Sequence, residues 1–399
     1  MQKTYKAIIV GGGAGGLLTA VELTSGKNAL KGEDVLILER NDRVGKKLIA
    51  TGNGQGNLSN CNFSKNYYYG DEKFIKGFFS ALNGLTVKDY FYKIGIPLLA
   101  NSNGREYVIS KQASAVLDII RARLALLKVK TEVKSKVTEI VKEDQLFKVI
   151  IDAKKSYLAE NVIIATGGSS AKQFGTDGTS YKLAEDFGHK KTKLYPSLVQ
   201  LKTETTNIKG LKGIKEKVRI SAFDGVKLLK NAYGDVLFTD FGISGDTVFN
   251  LSSALVDKQN PYVIIEFMPE LSSEKIIELL TLRLKSKFFS YENILDGLVN
   301  KKIAEKIIKI SGNKIEKIAY TLQNFKLKVT GSLGFDYSQV TKGGIVTDDV
   351  DSQTFMSKKC KKLYIIGEML NVDGECGGYN LAFAFLSGIL AGKNIKDNI

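Results

Sequence analysis

The chain has 399 residues, enough for two or three domains around sizeable cores. It carries 58 Lys and Arg against 42 Asp and Glu, a net charge of +16. The lysines are spread along the whole length with no dense basic tract, so the charge reads as a solvated surface ahead of a nucleic-acid footprint, and leaves nucleic acid open as a partner.

The first element is Ala7, Ile8, Ile9 and Val10, a short apolar run of strand-favouring residues, as in a buried parallel strand. Gly11, Gly13 and Gly16 follow as G-x-G-x-x-G, with Ala14 and Gly15 between them, and LLTAVEL then has helical spacing. The glycines allow a tight turn, a close approach of backbone to a pyrophosphate, and close helix–strand packing. The amides and dipole of the helix start hold the phosphates. A second strand, VLILER, ends at Glu39, placed to bind ribose hydroxyls. An acidic residue there favours FAD or NAD over NADP.

Residues 40–62, beginning at Arg40, are rich in Gly, Asn and Ser and show no apolar period, the mark of a functional or disordered loop. Lys46 and Lys47 sit where they would meet the pyrophosphate. The stretch from Thr51 and Gly52, TGNGQGN, can pass its backbone close to a cofactor ring. Residues 71–127 read as mostly helical, and 129–151 as strands with a turn at Glu143-Asp144. NVIIATGG is a strand ending in Ala165, Thr166 and Gly167. Residues 175–188 read as a loop and a helix, followed by the single histidine, His189.

From Tyr195 the pattern becomes short strands with turns at Asp224-Gly225 and Gly234-Asp235. A lysine-rich amphipathic helical stretch follows. We therefore expect a first domain at 1–190 and 336–399, interrupted by an inserted domain at 191–335. The insert has a β part at about 191–268 and a helical part at about 269–328. The last strand, LYIIG, ends at Gly367 with Glu368 after it. The apolar helix that starts near Gly378, Tyr379 and Asn380 would aim its positive end at a developing negative charge, and Asp373 would accept hydrogen bonds from a ribityl chain.

The two glycine-ended strands and the late helix resemble the FAD domain of the glutathione-reductase superfamily, where the end of the chain returns to the flavin ring. That resemblance implies non-covalent FAD in an α/β, Rossmann-like domain, and puts the backbone of Val137 near the adenine. More narrowly, the chain resembles the BaiN/YhiN-type NAD(P)/FAD-dependent oxidoreductases, also called the aminoacetone oxidase family. The matching motifs are GGGAGGL, GKKLIATGNGQGNLSN, ATGG, GDVLFTDFGISG and GEMLNVDGECGGYNLAFAF. The resemblance implies an insert with a β-barrel-like part and a helical part. It also implies a flavin oxidoreductase that exchanges hydride between flavin N5 and a small organic substrate, NAD(P)H-dependent enone reduction being the first reaction class. Amine oxidation, RNA modification and flavin binding without turnover are the alternatives. The family loop GNGRCN here has Gln55 and Gly56 in place of Arg and Cys, and Asp240 and Asp246 replace the His and Pro of THFGISGP. Tyr379, His189 and Asp240 are the candidate acids. Only one dinucleotide fingerprint is present, so NAD(P)H would dock transiently.

Three cysteines, Cys61, Cys360 and Cys376, show neither CxxC nor a metal-ligand spacing, so no metal site or structural disulfide is expected. No apolar run reaches the length of a membrane span, and the first strand begins too early for a signal peptide; the expected location is cytoplasmic. Composition gives no oligomeric state.

Overall fold

The computed structural model describes residues 3–152 and 155–399. Two compact units emerge, Met1–Leu194 with Val340–Ile399, and Tyr195–Gln339.

The first unit is built on a mixed sheet. Lys130–Glu132, Val35–Leu38, Thr4–Val10 and Lys155–Ile164 lie side by side and parallel, in that order. Lys155–Ile164 serves two neighbours on its other edge. Its first half pairs antiparallel with Leu146–Ile151, and its second half pairs parallel with Leu363–Ile365. Val35–Leu38 is buried at every position, as an all-apolar run requires of a strand covered on both faces. The strands Val137–Glu143 and Leu146–Ile151 form the meander expected before the ATGG strand.

Residues 71–127 are less uniform than their composition suggests. Helices Glu72–Leu82, Val87–Lys93 and Ala113–Leu126 are present, but a hairpin, Leu98–Ala100 with Arg105–Val108, interrupts them. This hairpin takes Ser59–Asn60 as a third strand, which gives the end of the glycine-rich loop a fixed seat. The loop is not wholly irregular either: Lys46–Ala50 is a short helix.

The second unit is a closed six-stranded barrel, Leu201–Thr203, Gly242–Ser244, Lys227–Phe238, Lys215–Asp224, Pro261–Glu266 and Phe325–Ser332. Phe325–Ser332 closes it against Leu201–Thr203. Helices Ser273–Lys285, Lys301–Ser311 and Ile315–Gln323 enter between the last two strands. The turn expected at Gly234-Asp235 is absent, because Lys227–Phe238 runs through it with Gly234 opposite Val218. Glycine is needed there for another reason: a Cβ would lie 2.6 Å from Thr247 Oγ1, on the helix Asp246–Leu255.

The final helix, Tyr379–Asp397, packs on the first, Ala14–Leu23. At its far end Lys396 donates to Glu22 at 2.7 Å and to the Ser25 carbonyl at 2.8 Å, and Tyr90 donates to the other Glu22 oxygen at 2.8 Å. The two charged side chains are only 6% and 11% exposed, so neither can be left alone cheaply. Lys396→Met is expected to cost about 3 kcal/mol by stranding the Glu22 carboxylate. A urea unfolding curve would show this as a lowered midpoint, and an unchanged midpoint would refute the role assigned to the pair.

Candidate cofactor and active site

The parallel strands Thr4–Val10, Val35–Leu38, Lys155–Ile164 and Leu363–Ile365 bring their C-terminal ends together, the edge at which open α/β sheets bind ligands. Gly11 N donates to Leu38 O and Ala165 N donates to Val10 O, both at 2.8 Å. Gly11 has φ +108°, and a Cβ on it would fall 2.5 Å from the Ala165 carbonyl, so only glycine lets the first turn sit against the ATGG segment. Helix Ala14–Leu23 starts at Gly13 with no side chain capping it, which leaves its first amides for an anion.

Glu39 is buried at the end of its strand. One carboxylate oxygen accepts from Gly12 N and the other from the Asn41 amide and side chain, all at 2.8 Å. Ser135 N donates to the Glu39 carbonyl at 2.8 Å, which brings the chain two residues before Val137 to the same place. Arg40 forms a two-pronged pair with Asp177 at 2.8 and 2.9 Å. Burial alone would raise the Asp177 carboxyl; hydrogen bonds from Arg40 and Thr179 outweigh it and hold that group well below the usual range.

Both lysines proposed for the pyrophosphate are held by carboxylates, Lys46 by Asp42 and Lys47 by Glu368, each at 2.6 Å. The second bond joins residues 321 apart in the chain. Thr51 donates to the Leu48 carbonyl at 2.7 Å, and Gly52 next to it turns the loop with φ +57°. Thr166 donates to Met369 Sδ at 2.9 Å, while Gly367 N donates to Ser387 Oγ at 3.1 Å. Gly167 has φ +76° and faces Thr176.

A second group of residues gathers at the start of the final helix. Strand Val372–Gly374, with buried Asp373, pairs with Tyr68–Gly70. Asn380 brackets Gly374, accepting from its amide at 2.8 Å and donating to its carbonyl at 2.7 Å. Gly378 has φ +100° and lies so close to Ser59 that a Cβ would come within 2.4 Å of its carbonyl oxygen. Tyr379 is buried, stacked on Tyr67 at 4.5 Å, and its carbonyl accepts from Tyr68 at 2.7 Å. Burial, followed by Tyr67 and Glu375, pushes the Tyr379 phenol well above its ordinary value.

The other two candidate acids are His189 and Asp240. Buried His189 is bonded through Nε2 to Ser357 at 2.8 Å, and burial lowers its pKa. Asp240 is exposed in the second unit and paired with Lys212. Sequence reasoning did not single out Tyr67, Tyr69, Arg105, Glu375 or Cys376. Asn60 stands opposite Arg105 in the small sheet and donates to Gly377 O at 3.0 Å; Tyr69 donates to Glu375 at 2.8 Å. The alternation Arg105, Glu106, Tyr107, Val108 was the available signal. No group of His, Cys, Asp and Glu able to hold a metal is found among the described residues. No helix among them is long and apolar enough to cross a membrane.

These residues fit FAD. Gly11, Gly12, Gly15 and Gly16 have no room for side chains, the first helix start is uncapped, and the buried carboxylate of Glu39 ends the neighbouring strand. A family model described as HI0933-like protein Rossmann domain matches residues 5–394. The chain is 30% identical over 403 positions to the 3-dehydro-bile acid delta(4,6)-reductase of Clostridium scindens, covering 96% of this chain and 97% of that one. It is 26% identical to the ribosomal RNA dihydrouridine synthase of Haemophilus influenzae, covering 99% and 100%. The solved 3-ketosteroid-delta4-(5alpha)-dehydrogenase of Rhodococcus jostii RHA1 superposes with a TM-score of 0.52 at 15% identity, over 99% of this chain and 98% of that one; what is shared there is the fold.

Replacing Glu39 with Ala removes charge-assisted bonds worth about 1.5–3 kcal/mol, so the Kd for FAD is expected to rise about 10- to 100-fold. Fluorescence titration would measure it, and an unchanged Kd would remove Glu39 from the ribose site.

Proposed function

The chain belongs to the HI0933-like family and is an FAD-dependent oxidoreductase, and from that premise we propose that it reduces a carbon–carbon double bond conjugated to a carbonyl. The observation that carries this reading is the end-to-end match to two relatives whose names describe one kind of bond change. A delta-4 bond in a 3-dehydro bile acid is conjugated to a ketone. The bond saturated in making dihydrouridine is conjugated to a uracil carbonyl. Each reaction adds a hydride equivalent to the β-carbon and a proton to the α-carbon.

Bound FAD would supply the hydride equivalent at N5. The chain's own groups do the rest. The amides from Gly13 to Gly16 hold the diphosphate, and Glu39 orients the ribose. The positive end of the helix starting at Gly378 and Tyr379 stabilises negative charge beside it. With Lys46 and Lys47 paired to carboxylates, the diphosphate rests on backbone amides rather than on lysine. NAD(P)H is the proposed reductant, docking transiently because the single dinucleotide fingerprint is occupied by FAD.

A free steroid-like enone is the first substrate reading. RNA is the second, and two observations favour it: the net charge of +16 and the dihydrouridine synthase relative. One experiment separates them. The FAD-loaded protein is reduced anaerobically and then mixed with a 4-en-3-one steroid or with an unmodified ribosomal RNA transcript. Return of the flavin colour, with a product heavier by two hydrogens, is expected from one of the two. Colour that returns only on admitting air would overturn the reading.

A further inference from the structure

We infer that Cys376, held by Arg105, is the proton donor of this reduction, an inference that rests on the reaction proposed above. Cys376 lies in the short turn between Val372–Gly374 and the final helix. That turn is pinned on both sides of it. Glu375 N donates to Tyr67 O at 3.0 Å, Asn60 donates to Gly377 O at 3.0 Å, and Gly378 rests against Ser59. Cys376 itself is half-buried.

Arg105 reaches this thiol from another segment. Its strand alternates, with Glu106 and Val108 buried and Arg105 and Tyr107 on the opposite face. That face belongs to the glycine-rich loop, since a Cβ on Gly52 would lie 3.7 Å from the Tyr107 ring. Arg105 Nη2 stands 3.9 Å from Cys376 Sγ, across 271 residues of sequence. Neither Gln55 nor Gly56 of the loop brings a charge or a thiol. The loop, the turn and the helix start thus bring Arg105 to Cys376, with Cys61 beside Gly104 on the neighbouring segment.

The chemistry requires an acid here. After hydride addition the substrate is an enolate, which needs one proton on its α-carbon. The neighbouring phenols hold their protons more tightly than usual: burial pushes Tyr68, Tyr69 and Tyr379 above their ordinary value, and the bond to Glu375 raises Tyr69 further. The thiol of Cys376 fits the task. Its S–H bond breaks as the enolate pair forms the new C–H bond, and the negative charge passes to sulfur, where the guanidinium of Arg105 pairs with it. A proton from solvent restores the thiol. The substrate gains two electrons and two hydrogens, and the reduced cofactor loses the two electrons.

Two measurements on the FAD-loaded chain test this. The first follows alkylation of each cysteine by iodoacetamide, read by peptide mass spectrometry. Cys376 is expected to react faster than Cys360, whose thiol burial pushes up, and to slow several-fold in Arg105→Gln while Cys360 does not change. The second follows the flavin in anaerobic stopped flow. Cys376→Ala and Cys376→Ser are both expected to be reduced by dithionite as the parent is, and to be reoxidised by substrate about 100-fold more slowly, the usual worth of a general acid. Serine preserves the shape but not the acidity, so a merely structural role would be rescued by it. Alkylation indifferent to Arg105→Gln, or a Cys376→Ser variant reoxidised at the parent rate, overturns the inference. A parent protein reoxidised by neither substrate would overturn the reaction itself, and the proton role with it.

Discussion

The first and last helices approach so closely that only glycine fits at their crossing. A Cβ on Gly388 would fall 2.4 Å from the Gly15 carbonyl, and one on Gly15 would fall 2.9 Å from the Ala384 carbonyl. The contact joins the helix that opens the fingerprint to the helix that ends the chain. Beside it Leu363–Ile365 pairs with Lys155–Ile164, and the same final helix begins at Gly378. The buried Lys396–Glu22 pair locks the other end of the same helix. A buried ion pair contributes little net stability compared with a packed apolar pair, yet it penalises every arrangement that separates its partners. Here that favours one register of the helix. The same glycine logic recurs at Gly11, which lets the fingerprint turn touch the ATGG segment.

The fold class was legible because its signals are local. A strand, three glycines, a helix and an acidic strand end lie within Ala7–Glu39, and the final helix shows as a mostly apolar stretch from Leu381 to Leu390. The misreadings come from elements whose identity is set elsewhere. Leu98–Ala100 is too short to establish a period, and it is a strand because it pairs with Arg105–Val108, whose other edge takes Ser59–Asn60. Phe325–Ser332 does alternate, with Phe325, Leu327 and Val329 inward, but it follows three amphipathic helices and its first residues were read as their continuation. Gly234-Asp235 has the composition of a turn; the neighbouring helix at Thr247 explains the glycine instead.

The site divides in the same way. Glu39 and the fingerprint glycines are placed by their own stretch of sequence. Arg105 and Cys376 meet only because a three-stranded sheet and a helix cap are packed together, and no spacing in the sequence encodes a contact across 271 residues. Charge behaves similarly. Lys46 and Lys47, expected at the pyrophosphate, are paired in the folded chain with Asp42 and Glu368. The net charge of +16 bears on the choice between a free enone and an RNA substrate.

The account stands on the two ends of the chain forming one flavin site. The most direct test is to titrate FAD into the purified protein while following the visible flavin band and the thermal unfolding midpoint together. Saturation at one FAD per chain, with a shifted band and a raised midpoint, is the predicted result. A protein that takes up no FAD, or whose midpoint ignores it, would contradict the site and everything built on it.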